Sequence, residues 1–459
     1  MNKIDIHINH NGFREYDARW LYPDEINLAG LEHLGLGLGT QILNKTGKES
    51  PRVVVGYDYR SYSEEVKNSL VQGLLKKGTW SVRQFGAAMK HDNYETVTVN
   101  EDFIICPIDG FGNPELLRVA LATEKPDLLL LFTDPRFFIW AWEMEDEIHQ
   151  VCPIAYWHVW DNYPVPQFNK VLYDSTDLIN CHSYLTYSFV KDLAPGRTNF
   201  IPHALPENVY YPIQDKSRVK MAKAQLLGEQ NKDNFTLFWV NRNAKRKRPN
   251  DVLWAWSLFM EKIKEKHGKQ DATLLMHTQP DDAEGPNLYA STEMLGISDS
   301  VIFSPERIEF EKMNILHNIS DACINLAYAE GFGLATLEAM QCAKPIIALK
   351  TGGLTRQVVD HRDGSENGIA LDVTCQTMVG SQSVPYIFED YCTAEAAADA
   401  ILKIYEMSPE ERTALGQKAK DYVTSEFNIQ DTVDKWHDTL TSLVENWRNE
   451  YKPWEIKEL

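Results

Sequence analysis

The stretch AEGFGLATLEAMQCAKPIIALKTGG, Ala329 to Gly353, decides how this chain is read. An apolar run, DACINLAYA, leads into it and reads as a strand; LATLEAMQCA reads as a helix and KPIIALK as the next strand. Between strand and helix sit Glu330, Gly331, Phe332 and Gly333, and Glu338 follows on the helix. Glycines at such a turn let a backbone approach a ligand, and the helix start from Leu334 offers unpaired N–H groups to an anion. Two carboxylates bracketing that turn can accept hydroxyl hydrogen bonds. The competing reading is an acidic helix start followed by an ordinary surface glutamate.

The same alternation extends in both directions. RVVVGYD, DFIICPI, PDLLLLF and CPIAYWHVW read as strands of a first unit, with helices through SEEVKNSLVQGLLKKG and NPELLRVALATEK. A proline- and aromatic-rich passage, TNFIPHALPENVYYPI, separates it from a second unit opened by the strand NFTLFWVNR and a long amphipathic helix. This is the pattern of α/β architecture with two doubly wound parallel sheets. In such sheets ligands sit beyond the carboxyl ends of the strands.

A second cluster lies at such an end. VNRNAKRKRP puts five basic residues between Arg242 and Arg248, directly after the first strand of the second unit. Arg and Lys suit a departing diphosphate, where negative charge develops. A solvated basic loop is the plainer alternative.

Taken together, NRNAKRKRP, EGFGLATLEAM with its Glu-X7-Glu spacing, KPIIALKTGG and YWHVWDNYPVP resemble the retaining group 1 glycosyltransferases of the GT-B fold, over about residues 100–445. The resemblance implies two facing Rossmann-like domains with a cleft between them, and transfer from a nucleotide-diphosphate sugar. It places Arg242 and Lys247 on the donor diphosphate, with Gly331, Phe332, Gly333 and Leu334 passing under sugar and phosphates. Glu330 would meet sugar hydroxyls near the reacting carbon, and Glu338 the ribose. His158 or Asp161 would face that carbon from the acceptor side. No metal is expected: no Asp-X-Asp pair is present, and the basic loop would take its place.

The opening residues follow another pattern. GFREYDARWLYPDEINLAG and PRVVVGYDYRSYSEE resemble the start of the phosphomannomutase/phosphoglucomutase enzymes, with Tyr16 and Arg19 at phosphate-binding positions. Their phosphoserine and metal loops are absent, so phosphate relay is not expected. The organisation read from sequence is a mutase-like segment over 1–78, an acceptor-side domain over 79–212, a nucleotide-sugar domain over 213–430, and a helix and tail over 431–459. Gly78 to Arg83 stand where the glycine-rich loop of the first domain belongs, and RVVVGYD would supply that domain's missing first strand. The mutase-like piece hints at mannose and GDP-mannose. An alternative is a sugar-nucleotide-binding scaffold without transfer activity.

Composition sets the remaining bounds. With 46 basic against 66 acidic residues the formal charge is -20, which disfavours nucleic acid as partner. The seven cysteines include no Cys-X-X-Cys pair, as in a cytoplasmic protein with reduced thiols. The greasiest run, DLLLLFTDPRFFIWAW, is broken by Asp134, Pro135 and Arg136, so no membrane insertion is expected. The acceptor, whether glycan, lipid or small molecule, is not written in the sequence.

Overall fold

The computed structural model describes residues 95–451 except 307 and 309, together with the strand segments Phe13–Arg14, Asp17–Ala18, Arg52–Tyr57 and Ser81–Ala87. Strands β1 (Phe13–Arg14) and β2 (Asp17–Ala18) form a small antiparallel pair. The first large sheet holds β3 (Arg52–Tyr57), β4 (Ser81–Ala87), β5 (Val97–Asn100), β6 (Phe103–Ile108), β7 (Leu128–Thr133), β8 (Ile154–His158), β9 (Leu178–Cys181) and β10 (Thr198–Phe200). Its order is β10-β9-β8-β7-β3-β4-β6-β5, parallel except for the edge strand β5.

Strand β3 therefore lies inside this sheet, paired with β4 from Arg52 to Tyr57 and with β7 from Val53 to Gly56. Two sequence readings change with it. A separate 1–78 unit does not match the pairing, because β3 and β4 are neighbours in one sheet across that boundary. Nor are Ser81 to Arg83 a loop: they open β4, where Val82 and Gln84 are buried in alternation. The mutase-like helix with Val66, Leu70 and Leu74, and Tyr16 and Arg19, lie outside the described residues.

All six residues of β7 are buried, the mark of a strand covered on both faces. Leu128, Leu130 and Phe132 pack against Val433, Trp436, Leu440 and Val444 of the C-terminal helix Ile429–Glu450. Leu129 and Leu131 pack on the opposite face with Leu117 and Leu121 of the helix Pro114–Glu124. The last helix of the chain thus returns to cover the first domain, and each of its four buried apolar side chains contributes about 1.5–3 kcal/mol. Among the described residues no helix is long and apolar enough to cross a membrane.

The second sheet is parallel throughout and runs β13-β12-β11-β14-β15-β16. Its strands are β11 (Phe235–Val240), β12 (Ala272–His277), β13 (Val301–Ser304), β14 (Ala322–Asn325), β15 (Ile346–Leu349) and β16 (Gly368–Leu371). Counted from β11, this is the strand order of doubly wound dinucleotide-binding sheets. Leu237 and Trp239 enter the core on one face, where the helix Pro249–His267 supplies Val252, Trp256, Phe259 and Ile263. Phe238 turns to the other face. An antiparallel hairpin, β17 (Cys375–Val379) and β18 (Ile387–Tyr391), belongs to neither sheet, and no strand was read there from the sequence.

Candidate active site

The order of the second sheet reverses between β11 and β14, so the chains leaving these two strands part and open a crevice at their carboxyl ends. The basic loop follows β11 and the Glu330 loop follows β14. A cavity of about 90 Å³ lies there, lined by Arg242, Glu330, Gly333, Leu334, Ala335 and Glu338, with Asn325 and Thr278. Motifs more than eighty residues apart in sequence line one crevice.

At its floor Lys247 Nζ donates to Glu330 Oε2 at 2.5 Å, with the two side chains 0% and 1% exposed. Burial pushes the Lys247 ammonium down to about 8, against the pull of the Glu330 carboxylate. That answers whether Glu330 is a helix cap. The helix Leu334–Gln341 is preceded by Gly333, at φ 94, and no side chain caps it. Its first N–H groups lack intrahelical partners and lie beside the cavity, an arrangement suited to an anion. A Cβ at Gly333 would stand 2.4 Å from Leu354, so both backbone conformation and space require glycine.

Two further partners were not read from the sequence. Glu338 is buried and its Oε2 meets His317 Nε2 at 3.0 Å, which fixes the carboxylate toward the cavity wall. Arg242 donates to both oxygens of Asp282, at 2.8 and 3.1 Å, a forked pair that sets the plane of the guanidinium. Asp282 lies in the loop after β12, again at a strand's carboxyl end, and its position in QPDDAEG was the available signal. Phe332 is buried, packing against Phe427 and His203 with ring centroids 5.4 and 5.0 Å away. It anchors the loop in the core and does not line the cavity.

On the first domain the two candidates separate. His158 is buried in β8 with Nε2 on the Tyr173 hydroxyl at 2.8 Å and its ring stacked near Tyr156. Burial holds it well below the usual imidazole range, and it acts as a core residue. Asp161, beyond the strand end, does reach the domain seam: a Cβ built on Gly331 would lie 2.9 Å from its Oδ1. Burial raises its carboxyl, Arg246 opposes that, and Glu330 adds to it. The residue missed is His182, directly after β9. Its Nδ1 meets the His158 carbonyl at 2.8 Å, so Nδ1 carries the proton and Nε2 presents a lone pair. That Nε2 lies 2.7 Å from a Cβ built on Gly331, and burial brings the imidazole down to about 4, keeping it neutral.

The seam leaves no room for side chains at its glycines. At Gly352, φ +49, a Cβ would fall 2.0 Å from the Glu330 carbonyl and 2.5 Å from that of Asp161. At Gly331 the obstacles are the side chains of His182 and Asp161. Gly331→Ala is therefore expected to cost about 1–3 kcal/mol, the range for overpacking. Gly352→Ala is expected to cost more, because backbone atoms of two domains cannot step aside. Thermal unfolding of both variants checks the order; equal or reversed losses would contradict the packing.

This crevice, a doubly wound sheet carrying a buried Lys–Glu pair beside an uncapped helix start, defines a nucleotide-binding α/β domain facing a second one. Residues 223–379 match the family described as Glycosyl transferases group 1, and residues 10–91 match Phosphoglucomutase/phosphomannomutase, alpha/beta/alpha domain I. The chain is thus similar to group 1 glycosyltransferases over residues 223–379 and to the first domain of the mutases over residues 10–91, a likeness that reaches past residue 78. It is 28% identical over 134 residues to D-inositol 3-phosphate glycosyltransferase 2 of Catenulispora acidiphila, covering 29% of this chain and 31% of that protein. The chain thus spans about a third of that curated relative's length. Among solved structures, sucrose-phosphate synthase from Thermosynechococcus elongatus aligns with a TM-score of 0.65 at 18% identity, over 86% of this chain and 99% of the other. Anabaena Alr3699/HepE, solved in complex with UDP-glucose, aligns with a TM-score of 0.61 at 16% identity, over 86% and 100%.

Proposed function

We propose that this protein transfers a glycosyl unit from a nucleoside diphosphate sugar to an acceptor hydroxyl, with retention at the anomeric carbon and without a metal ion. One observation carries the reading: Arg242, Glu330, the Gly333–Ala335 helix start and Glu338 meet in one cavity at the switch point of the second sheet. The helix N–H groups and Arg242 would hold the diphosphate, with the Lys247 ammonium adding positive charge from beneath. Glu330 would accept from sugar hydroxyls and Glu338, steadied by His317, from the ribose. As the bond from the anomeric carbon to the phosphate oxygen breaks, fixed positive charge stabilises the departing diphosphate. The acceptor oxygen bonds to the same face, and its proton passes to the departing phosphate. Support for a uridine nucleotide comes from the UDP-glucose complex of the structural neighbour, while the mutase-like segment supports a test of GDP-mannose.

Thermal shift with UDP-glucose and GDP-mannose tests binding, since a ligand of the folded state raises its stability. Release of free UDP or GDP then tests chemistry. A protein that binds donors but never releases the diphosphate would be the scaffold instead. The Lys247 pair adds a pH signature. Its ammonium titrates near 8, so the cation is present below that pH and lost as pH rises through it. The ratio kcat/KM, which reports the free enzyme, should fall above about pH 8, toward about tenfold per pH unit. Bound diphosphate favours the charged amine, so the fall in kcat should come at higher pH. A kcat/KM profile flat to about pH 9.5 would remove Lys247 from this role.

A further inference from the structure

A second cavity, of about 260 Å³, lies across the seam, bounded by Asp134, Arg136, Trp160 and Asp161 of the first domain and by Arg246 and Tyr328 of the second. It shares a loop with the donor crevice: Tyr328 and Ala329 line this cavity, whereas Glu330 lines the other. The hairpin β17–β18 supplies its remaining wall, through Val379 to Ser381 and Ile387 to Glu389.

That hairpin is held to both domains. Asp390 is buried, and its carboxylate accepts from Asn162 Nδ2 at 2.6 Å, Thr351 Oγ1 at 2.7 Å and Gln376 Nε2 at 2.6 Å. Its own N–H donates to the Tyr328 carbonyl at 2.7 Å. The Phe388 N–H donates to the Tyr163 carbonyl at 2.6 Å, and Val384 enters the core of the first domain. By contrast, all five residues of β17 are exposed. One carboxylate, Asp390, thus joins first domain, second domain and hairpin.

We propose that this hairpin is the wall of the acceptor site, fixed by Asp390 as a positioning residue, and that the site takes a compact, neutral, hydroxyl-rich acceptor. The proposal rests on the glycosyltransferase reading above. Three carboxylates (Asp134, Asp161, Glu389) and two guanidiniums (Arg136, Arg246) face the cavity, which disfavours a second anion beside the diphosphate. Trp160 and Tyr328 add aromatic surface. Glu389 accepts from the Tyr391 hydroxyl, which aims its carboxylate. Carboxylates, guanidiniums and aromatic rings together bind neutral polyols through many oriented hydrogen bonds.

The test uses full-length protein with UDP-glucose and GDP-mannose as donors, and D-glucose and D-glucose 6-phosphate as neutral and anionic acceptor probes. Asp390→Ala should leave affinity for the nucleoside diphosphate within about twofold, raise the acceptor KM by about tenfold or more, and send a larger share of donor to water. Glu389→Gln, which leaves the Asp390 hydrogen bonds in place, should raise the acceptor KM with an unchanged Tm. That variant decides the matter alone should Asp390→Ala fail to fold. Unchanged acceptor KM and hydrolysis in the folded variants would overturn the proposal. So would a preference of more than about tenfold for the 6-phosphate probe. Failure of the unmutated protein to bind or cleave either donor would instead sink the transferase reading, and this inference with it.

Discussion

Deletion of residues 1–78 is expected to yield aggregated protein, whereas deletion of 1–48 is expected to leave a soluble, folded chain. The longer cut removes β3, which sits between β4 and β7 and pairs with both. Its loss leaves two strands inside a buried sheet with unpaired N–H and C=O groups, and the neighbouring Leu128–Leu131 lose their cover. Exposed strand edges of this kind recruit other chains. The shorter cut removes only β1 and β2 among the described strands and spares β3. Soluble yield, size-exclusion profile and Tm decide. A monomeric 1–78 deletion with the Tm of the intact chain would show that β3 is dispensable.

Glu330→Ala is expected to reduce transfer by about 10³-fold or more, since it removes a group that contacts the reacting sugar in the proposed mechanism. Its effect on folding is not silent, as it would be for a loop residue in water. Lys247 would remain 0% exposed with its carboxylate partner gone. Breaking a buried pair costs about 3–5 kcal/mol. The lysine limits this by shedding its proton, because burial already brings it to about 8. A fall in Tm of about 10 °C is expected. Glu330→Gln separates the two roles: the amide keeps the shape and one acceptor for Lys247, so part of the stability returns while transfer stays low. Near-normal transfer by the Gln variant would remove Glu330 from the chemistry.

Much of the architecture was legible because it rests on local periodicity. Apolar runs bounded by turn residues marked most strands of both sheets, though not β4, β10 or β16, and three-to-four spacing marked the helix Pro249–His267. Glycine identity marked the turn before Leu334, where φ of Gly333 is positive and a Cβ would collide. Basic and acidic residues placed just after strands pointed to one crevice, since the carboxyl ends of parallel strands share one edge.

Other features depend on which surfaces meet, and no local pattern carries that. His158 ends one strand of the first sheet and His182 directly follows another; only packing decides that Tyr173 takes the first while the second faces Gly331. The Lys247–Glu330 pair, the Glu338–His317 contact and the Arg242–Asp282 fork each join residues far apart in sequence. The hairpin β17–β18 has a strand whose five residues are all exposed, so no alternation of buried and exposed residues betrays it, and it is fixed through Asp390 by partners in both domains. The C-terminal helix reads as amphipathic in sequence, but the face it covers belongs to the first domain. Periodicity records that a residue is buried or turned; the identity of its neighbour is set by long-range packing, which only the folded chain supplies.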